Sequence, residues 1–190
     1  STYREALLNQ DIYAEGTHLR TGDLGRLDAD KFLFITGRAK DLIIRGGHNV
    51  DPLMIEDAIM RHPLVGYAGA IGQPDARAGE VPCVYVELIE GAKLTSAELM
   101  TFAEAEISDV AALPKYIEIL PSLPKTVVGK VFKPDLRRMA ITRVFDHALA
   151  SAALGAQVKA VIESQDRGLV AQITYSRTSS AVQFTKDIPD

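Results

Sequence analysis

The chain has 190 residues, 47% of them apolar and 24% charged, the ordinary balance of a globular protein long enough to bury a core without staples. Its net charge of -4 gives no bulk attraction to nucleic acid or to an anionic membrane, and no apolar run approaches the roughly 20 residues that cross a bilayer. The single cysteine, Cys83, lies in the apolar run 81–88, reads as a buried strand thiol, and excludes a disulfide framework within the chain, which fits a reducing, cytoplasmic setting.

Residues 1–16 read as the end of a helix and a loop. STYREALLNQ lacks the apolar stretch of a signal peptide, and the chain is expected to be a piece of a longer protein. HLRTGDLGRLDADKFLFITGR predicts a β-hairpin, with strands at 19–27 and 32–35 and Asp28 and Asp30 as turn residues. DLIIR is a short apolar strand broken by Gly46 and Gly47. Asp51 then offers an N-cap and Pro52 a first helical residue. Ile55, Ala58 and Ile59 share a face of that helix, and His62 and Pro63 end it.

Strands follow near 66–71 and 81–89, with a polar turn around Pro74 and Asp75. Thr95 and Glu98 form a capping box, so a helix starts there and runs to about 108. A third strand covers 116–120, and Lys133 and Pro134 open a short helix through Met139. The alternation predicts an α+β domain on a small three-stranded sheet, preceded by the hairpin. From about 141 the composition changes. VFDHALASAAL reads as an alanine-rich helix, QVKAVIES and LVAQITYS as two strands, and SRTSSAVQFTKDIPD as a polar end. The expected division is 1–39, 40–140, and an appendage at 141–190.

LPKTVVGKVF places Gly129 immediately before Lys130, as phosphate-binding loops do. A P-loop needs a glycine about five residues before the Gly-Lys pair and a Ser or Thr after it. Leu123 and Val131 stand in those places, so Lys130 must act as a side chain at a loop tip. Three further segments join it in order: Thr21-Gly22-Asp23; Gly37-Arg38-Ala39-Lys40-Asp41; and Arg45-Gly46-Gly47-His48-Asn49. Each is weak alone. Together, over about 18–140, they resemble the AMP-forming acyl-CoA synthetases, in the adenylate-forming superfamily that also holds firefly luciferase. RGGHNVDPLMIEDAIMRHPLV looks most like the bacterial fatty-acyl-CoA synthetases.

The resemblance implies that the hairpin closes a large N-terminal adenylation domain and that 40–140 is the C-terminal lid, hinged at Lys40. Asp23 matches a ribose-binding aspartate and Arg38 a nucleotide-binding arginine. Gly46 and Gly47 match backbone lining a channel for the pantetheine arm of CoA. Lys130 matches the catalytic lysine on a mobile loop. Lys125 and Lys133 are expected to be exposed and solvated. Read as residues alone, Asp23 is equally a turn aspartate, Arg38 half of a surface ion pair, and the two glycines a plain chain reversal. His18, His62 and His147 show no metal-ligand spacing.

The implied activity is an ATP-dependent ligase joining a fatty or related carboxylic acid to CoA through acyl-AMP. ATP and CoA are substrates, and Mg2+ rides on ATP, held mainly by the upstream domain. The small-molecule substrates are the expected partners, and the isolated chain is expected to be inactive. Two alternatives stay open: a ligase loading a carrier protein, and a non-catalytic CoA or protein docking module.

Overall fold

The computed structural model describes residues 13–14, 18–164 and 166–175. The helix end expected at 1–16 lies outside these, apart from strand β1 (Tyr13–Ala14), which pairs antiparallel with β2 (His18–Leu19). The predicted hairpin forms from β3 (Asp23–Leu27) and β4 (Leu33–Arg38). Its first strand starts later than expected, because Gly22 at φ +78° separates it from β2. Asp28 makes the turn: its Oδ1 accepts from the N–H groups of Asp30 (3.0 Å) and Phe32 (2.9 Å).

The main sheet has five strands: β5 (Ile43–Arg45), β6 (His48–Val50), β7 (Val65–Asp75), β8 (Gly79–Leu88) and β9 (Tyr116–Leu120). Their order is β6-β5-β8-β7, with β9 paired parallel to β8. The three expected strands are β7, β8 and β9, and the β5–β6 hairpin extends the sheet beyond them. Strand β6 is three residues long and polar at His48 and Asn49, too short for an alternating pattern to show.

Helix α1 (Pro52–Met60) is capped as predicted, the Asp51 side chain accepting from the Leu53 N–H at 3.0 Å. Helix α2 (Ser96–Glu106) carries the full capping box: the Glu98 N–H donates to Thr95 Oγ1 (3.2 Å), and the Thr95 N–H donates to Glu98 Oε2 (2.8 Å). Helix α3 (Lys133–Ser151) corrects the prediction. It is one helix of 19 residues where a short helix and a separate alanine-rich one were expected. No Gly or Pro lies between Met139 and Val144 to break it, and Leu136, Ala140 and Ile141 bury one continuous stripe. Strands β10 (Ala156–Ser164) and β11 (Gly168–Tyr175) form the expected second hairpin. It is tied to α3 where the Val158 N–H donates to Asp146 Oδ1 at 2.6 Å.

Alternation along β8 divides the core in two. Val84 and Val86 point to α1 and α2, packing with Ile43, Ile55, Ile59 and Leu99. Cys83 and Tyr85 point to α3, packing with Ile71, Leu123, Leu136 and Ala140. Burial pushes the Cys83 thiol up to about 12, so it is an inert core side chain, as the sequence suggested. Among the described residues no helix is long and apolar enough to cross a membrane.

The α3 face depends on close approach at Gly69 in β7. A Cβ there would lie 2.6 Å from Leu136 Cδ1 and 2.9 Å from Val131 Cγ1. Gly69→Ala should therefore destabilise the chain by about 1–3 kcal/mol through overpacking. The check is thermal unfolding, with the midpoint falling about 2–4 °C per kcal/mol at this length; an unchanged midpoint would mean that α3 shifts without cost.

Candidate functional site

The segment after β9 turns back on itself as a tight hairpin. Lys125 and Val131 form an antiparallel bridge, the Thr126 N–H donates to the Lys130 carbonyl (2.7 Å), and the Gly129 N–H donates to the Thr126 carbonyl (2.8 Å). The Lys130 N–H donates to Thr126 Oγ1 at 3.2 Å. Gly129 closes the turn at φ +80°, a conformation that costs other residues strain. Val127 and Val128 stand exposed at the tip, and Lys130 beside them is exposed, with no ion pair among the described residues.

The neighbouring lysines correct the expectation that both are solvated. Lys125 Nζ donates to both carboxylate oxygens of Glu87, at 2.8 and 2.7 Å, and lies 3.9 Å from the centre of the Tyr67 ring. Lys133 Nζ is 2.8 Å from Glu56 Oε1, which also accepts the Ala70 N–H at 2.8 Å. The two carboxylates answer differently. The Lys125 hydrogen bond leads in holding the Glu87 carboxyl below its ordinary range. At Glu56, burial outweighs Lys133 and raises the value. Sequence reasoning passed over both glutamates, although each interrupts an apolar stretch: Glu56 lies beside Ile55 on α1, and Glu87 follows the run 81–86.

On the first hairpin, Asp23 and Arg38 are register partners, and Arg38 Nε donates to Asp23 Oδ1 at 3.0 Å. The structure thus brings together the two residues expected at the nucleotide. Their pair is exposed, so it contributes little to stability and leaves both groups open to a ligand.

Lys40 sits in one turn of 3-10 helix (Ala39–Asp41) between two anchored networks. The Ala39 N–H donates to the Gly22 carbonyl at 2.9 Å, on the hairpin side. The Lys40 carbonyl and Asp41 Oδ1 accept from Arg137 Nη2 of α3, at 3.3 and 3.2 Å.

Gly46 and Gly47 make the turn between β5 and β6 at φ +56° and +85°. The Gly46 N–H donates to the Ala78 carbonyl at 2.8 Å, and no heavy atom lies within 4 Å of a Cβ built at either glycine. Backbone conformation, with open space around it, accounts for these glycines. Arg45, to which the sequence assigns no role of its own, donates through Nη1 to the carbonyls of Val110 and Ala111 (2.9 Å each) and Leu113 (3.3 Å). It gathers the 110–113 loop beside the turn. His48 and Asn49 are exposed on β6.

The glycine turn adjoins the start of β8, where Arg45 pairs with Gly79. The Lys130 hairpin is seated at its other end, on Glu87. Gly79 and Glu87 are separated by about 26 Å of extended strand. The structure therefore keeps the two sets of candidate residues at opposite ends of one rigid sheet.

Residues 54–130 match the family model of the AMP-binding enzyme C-terminal domain. The chain is 49% identical over 141 residues to the marinolic acid–CoA ligase of Pseudoalteromonas sp. (strain SANK 73390), covering 74% of this chain and 22% of that protein. It is 42% identical over 118 residues to a mitochondrial medium-chain acyl-CoA ligase of Bos taurus, covering 62% of this chain and 19% of that protein. Among solved structures, ATP-bound MatB from Rhodopseudomonas palustris superposes with a TM-score of 0.66 at 32% identity, covering 70% of this chain and 26% of that one. The chain thus spans about a quarter or less of the length of these relatives. With the ordered motifs and the shared backbone, this establishes the family: the chain carries a C-terminal domain of the AMP-binding enzymes, the adenylate-forming group to which acyl-CoA ligases belong.

Proposed function

We propose that this chain is the lid of an AMP-forming ligase that joins a fatty or related carboxylic acid to CoA. In this reading 1–39 ends a large adenylation domain, 40–140 is the lid, and 141–190 is an appendage continued from it by α3. The observation that carries the reading is Lys130: its ammonium has no ion pair among the described residues, whereas Lys125 on the same hairpin pairs with Glu87 and Lys133 at the start of α3 pairs with Glu56. The acyl-CoA ligases among the relatives support the reaction class.

The chemistry runs in two steps. The acid's carboxylate attacks the α-phosphate of ATP and expels pyrophosphate, giving acyl-AMP. The CoA thiol then attacks the acyl carbon, loses its proton and releases AMP. The first transition state gathers charge on the α-phosphate oxygens, and an ammonium held there stabilises it more than the ground state. Asp23 would accept from ribose hydroxyls, and Arg38 would supply a planar fork of donors beside it. Mg2+ would accompany the triphosphate on the larger domain. Among the described residues no cluster of His, Cys, Asp or Glu could hold a metal. For the second step, rotation about Lys40 would bring the Gly46 and Gly47 turn to the cleft, and its open backbone would border the pantetheine arm. The buried, unpaired Cys83 supports a reducing compartment such as the cytoplasm.

In the full-length protein, Lys130→Ala should lower acid-dependent pyrophosphate exchange about 100- to 1000-fold, the usual cost of one such contact. Thioester formation from supplied acyl-AMP should be largely spared. Equal loss in both assays would refute the role.

Gly47→Asn should do the opposite. Asn tolerates positive φ, so the turn survives while a side chain enters the open space. Pyrophosphate exchange should hold and transfer to CoA should fall. If transfer is unimpaired in the folded variant, Gly47 serves the turn alone.

A further inference from the structure

We infer that Glu87 is a positioning residue for Lys130, acting through Lys125. The inference rests on the role proposed above for Lys130. Glu87 and Tyr67 are opposite each other on β8 and β7, and together they form a seat with a carboxylate and an aromatic face. The ammonium of Lys125 fills it, bound by both oxygens of Glu87 and stacked over the Tyr67 ring. Glu87 Oε2 also accepts the Leu123 N–H at 2.7 Å and lies 3.3 Å from Ser122 Oγ. One side chain of the sheet thus grips the whole strand that leads into the hairpin. The side chains of Lys125 and Glu87 are 24% and 18% exposed, so water screens the pair less than a surface ion pair.

The grip reaches Lys130 without slack. Lys125 is bridged to Val131, and Thr126 holds both the N–H and the carbonyl of Lys130. The far leg is fixed as well, by Lys133 on Glu56 and by Val131 against Gly69. A tilt of the near leg therefore shifts the Lys130 backbone, from which the ammonium projects. A displacement of about 1 Å at a reacting group can cost about 100-fold in rate. The pairing has a second effect. It consumes the charge of Lys125, so the hairpin offers Lys130 as its cation and a phosphate group is not drawn to the wrong lysine.

The test uses Glu87→Gln, Lys125→Met and Lys130→Ala in the full-length protein, with both half-reactions measured, and amide hydrogen exchange on the 190-residue chain. Glu87→Gln should lower pyrophosphate exchange about 10- to 100-fold while transfer from supplied acyl-AMP to CoA is retained. Lys125→Met, which keeps an apolar stem on Tyr67, should reproduce that split and serves in its place if Glu87→Gln fails to fold. The double variant Glu87→Lys with Lys125→Glu should recover part of the loss. In the chain itself, Glu87→Gln should speed exchange at the Thr126, Gly129 and Lys130 amides and leave those of α1 and α2 protected. If Lys130→Ala abolishes pyrophosphate exchange and neither Glu87→Gln nor Lys125→Met lowers it, the positioning role is wrong and the assignment of Lys130 stands. Equal loss of both half-reactions in the folded variants would make Glu87 a structural residue alone. If Lys130→Ala spares pyrophosphate exchange, the proposed function falls and takes this inference with it.

Discussion

The missing side chain at Gly69 decides where everything on the α3 face of the sheet can lie. Leu136 of α3 and Val131 of the hairpin stem both occupy the space a Cβ would take. Helix and hairpin are thus docked on the same spot of β7, consecutive in the chain and in contact with the same backbone. Interiors are close-packed, so neither can move far without opening a void or forcing an overlap. The buried row Leu136, Ala140 and Ile141 then sets the direction of α3. Its length carries it past the sheet to the second hairpin, which Asp146 fastens.

Packing fixes the position of the Lys130 hairpin, and charge pairing fixes its orientation. The two lysine–glutamate contacts around it obey one rule with different outcomes. Both glutamates lose water on folding, and both gain an ammonium partner and a backbone N–H. At Glu87 the gain exceeds the loss and its carboxyl is depressed, so its contribution is complete above the usual carboxylate range and is lost as pH falls through the folded value. At Glu56 the loss of water is the larger, its value is raised, and ionisation is disfavoured by folding. Charge thus favours the ionised Glu87 carboxylate, while the Glu56 carboxylate carries a desolvation cost. The second contact is better described as a buried fastening that keeps Lys133 and the N-terminus of α3 against α1.

Much of this was legible in the sequence because local chemistry and tertiary demand agree. Thr95 with Glu98, and Asp51 with Pro52, announced two helix starts, and both caps are made. The apolar run through Cys83 announced a strand buried on two faces. The hairpin that pairs Asp23 with Arg38 was visible from its turn residues and its ordered motifs. What was not legible depends on residues brought together across the fold. Lys125 and Lys133 read as solvated because nothing nearby in sequence pairs with them; Glu87 and Glu56 come from β8 and α1. Arg45 looked like the end of a strand, and its three carbonyl acceptors lie more than sixty residues away. The change of composition near 141 reads as a boundary within α3, although composition does not break a helix without Gly or Pro to interrupt its hydrogen bonds.

In the proposed reading Lys40 is the pivot, and its surroundings suit that role. A hinge needs two well-anchored bodies and a short unanchored link between them. The Ala39 N–H is bound to Gly22 of the first hairpin, and the Lys40 carbonyl is bound to Arg137 of α3. The backbone torsions between those two bonds belong to Ala39 and Lys40. On the far side, Asp41 is paired with Arg137, and β5 enters the sheet two residues later. In the proposed reading, a rotation at this link would carry the sheet, α3 and the hairpin bearing Lys130 together, with the Lys125–Glu87 grip unbroken. The glycine turn at the other end of β8 travels with them. In the proposed reading, their separation by the length of one strand would let a single rotation withdraw one set of residues from the cleft as it presents the other.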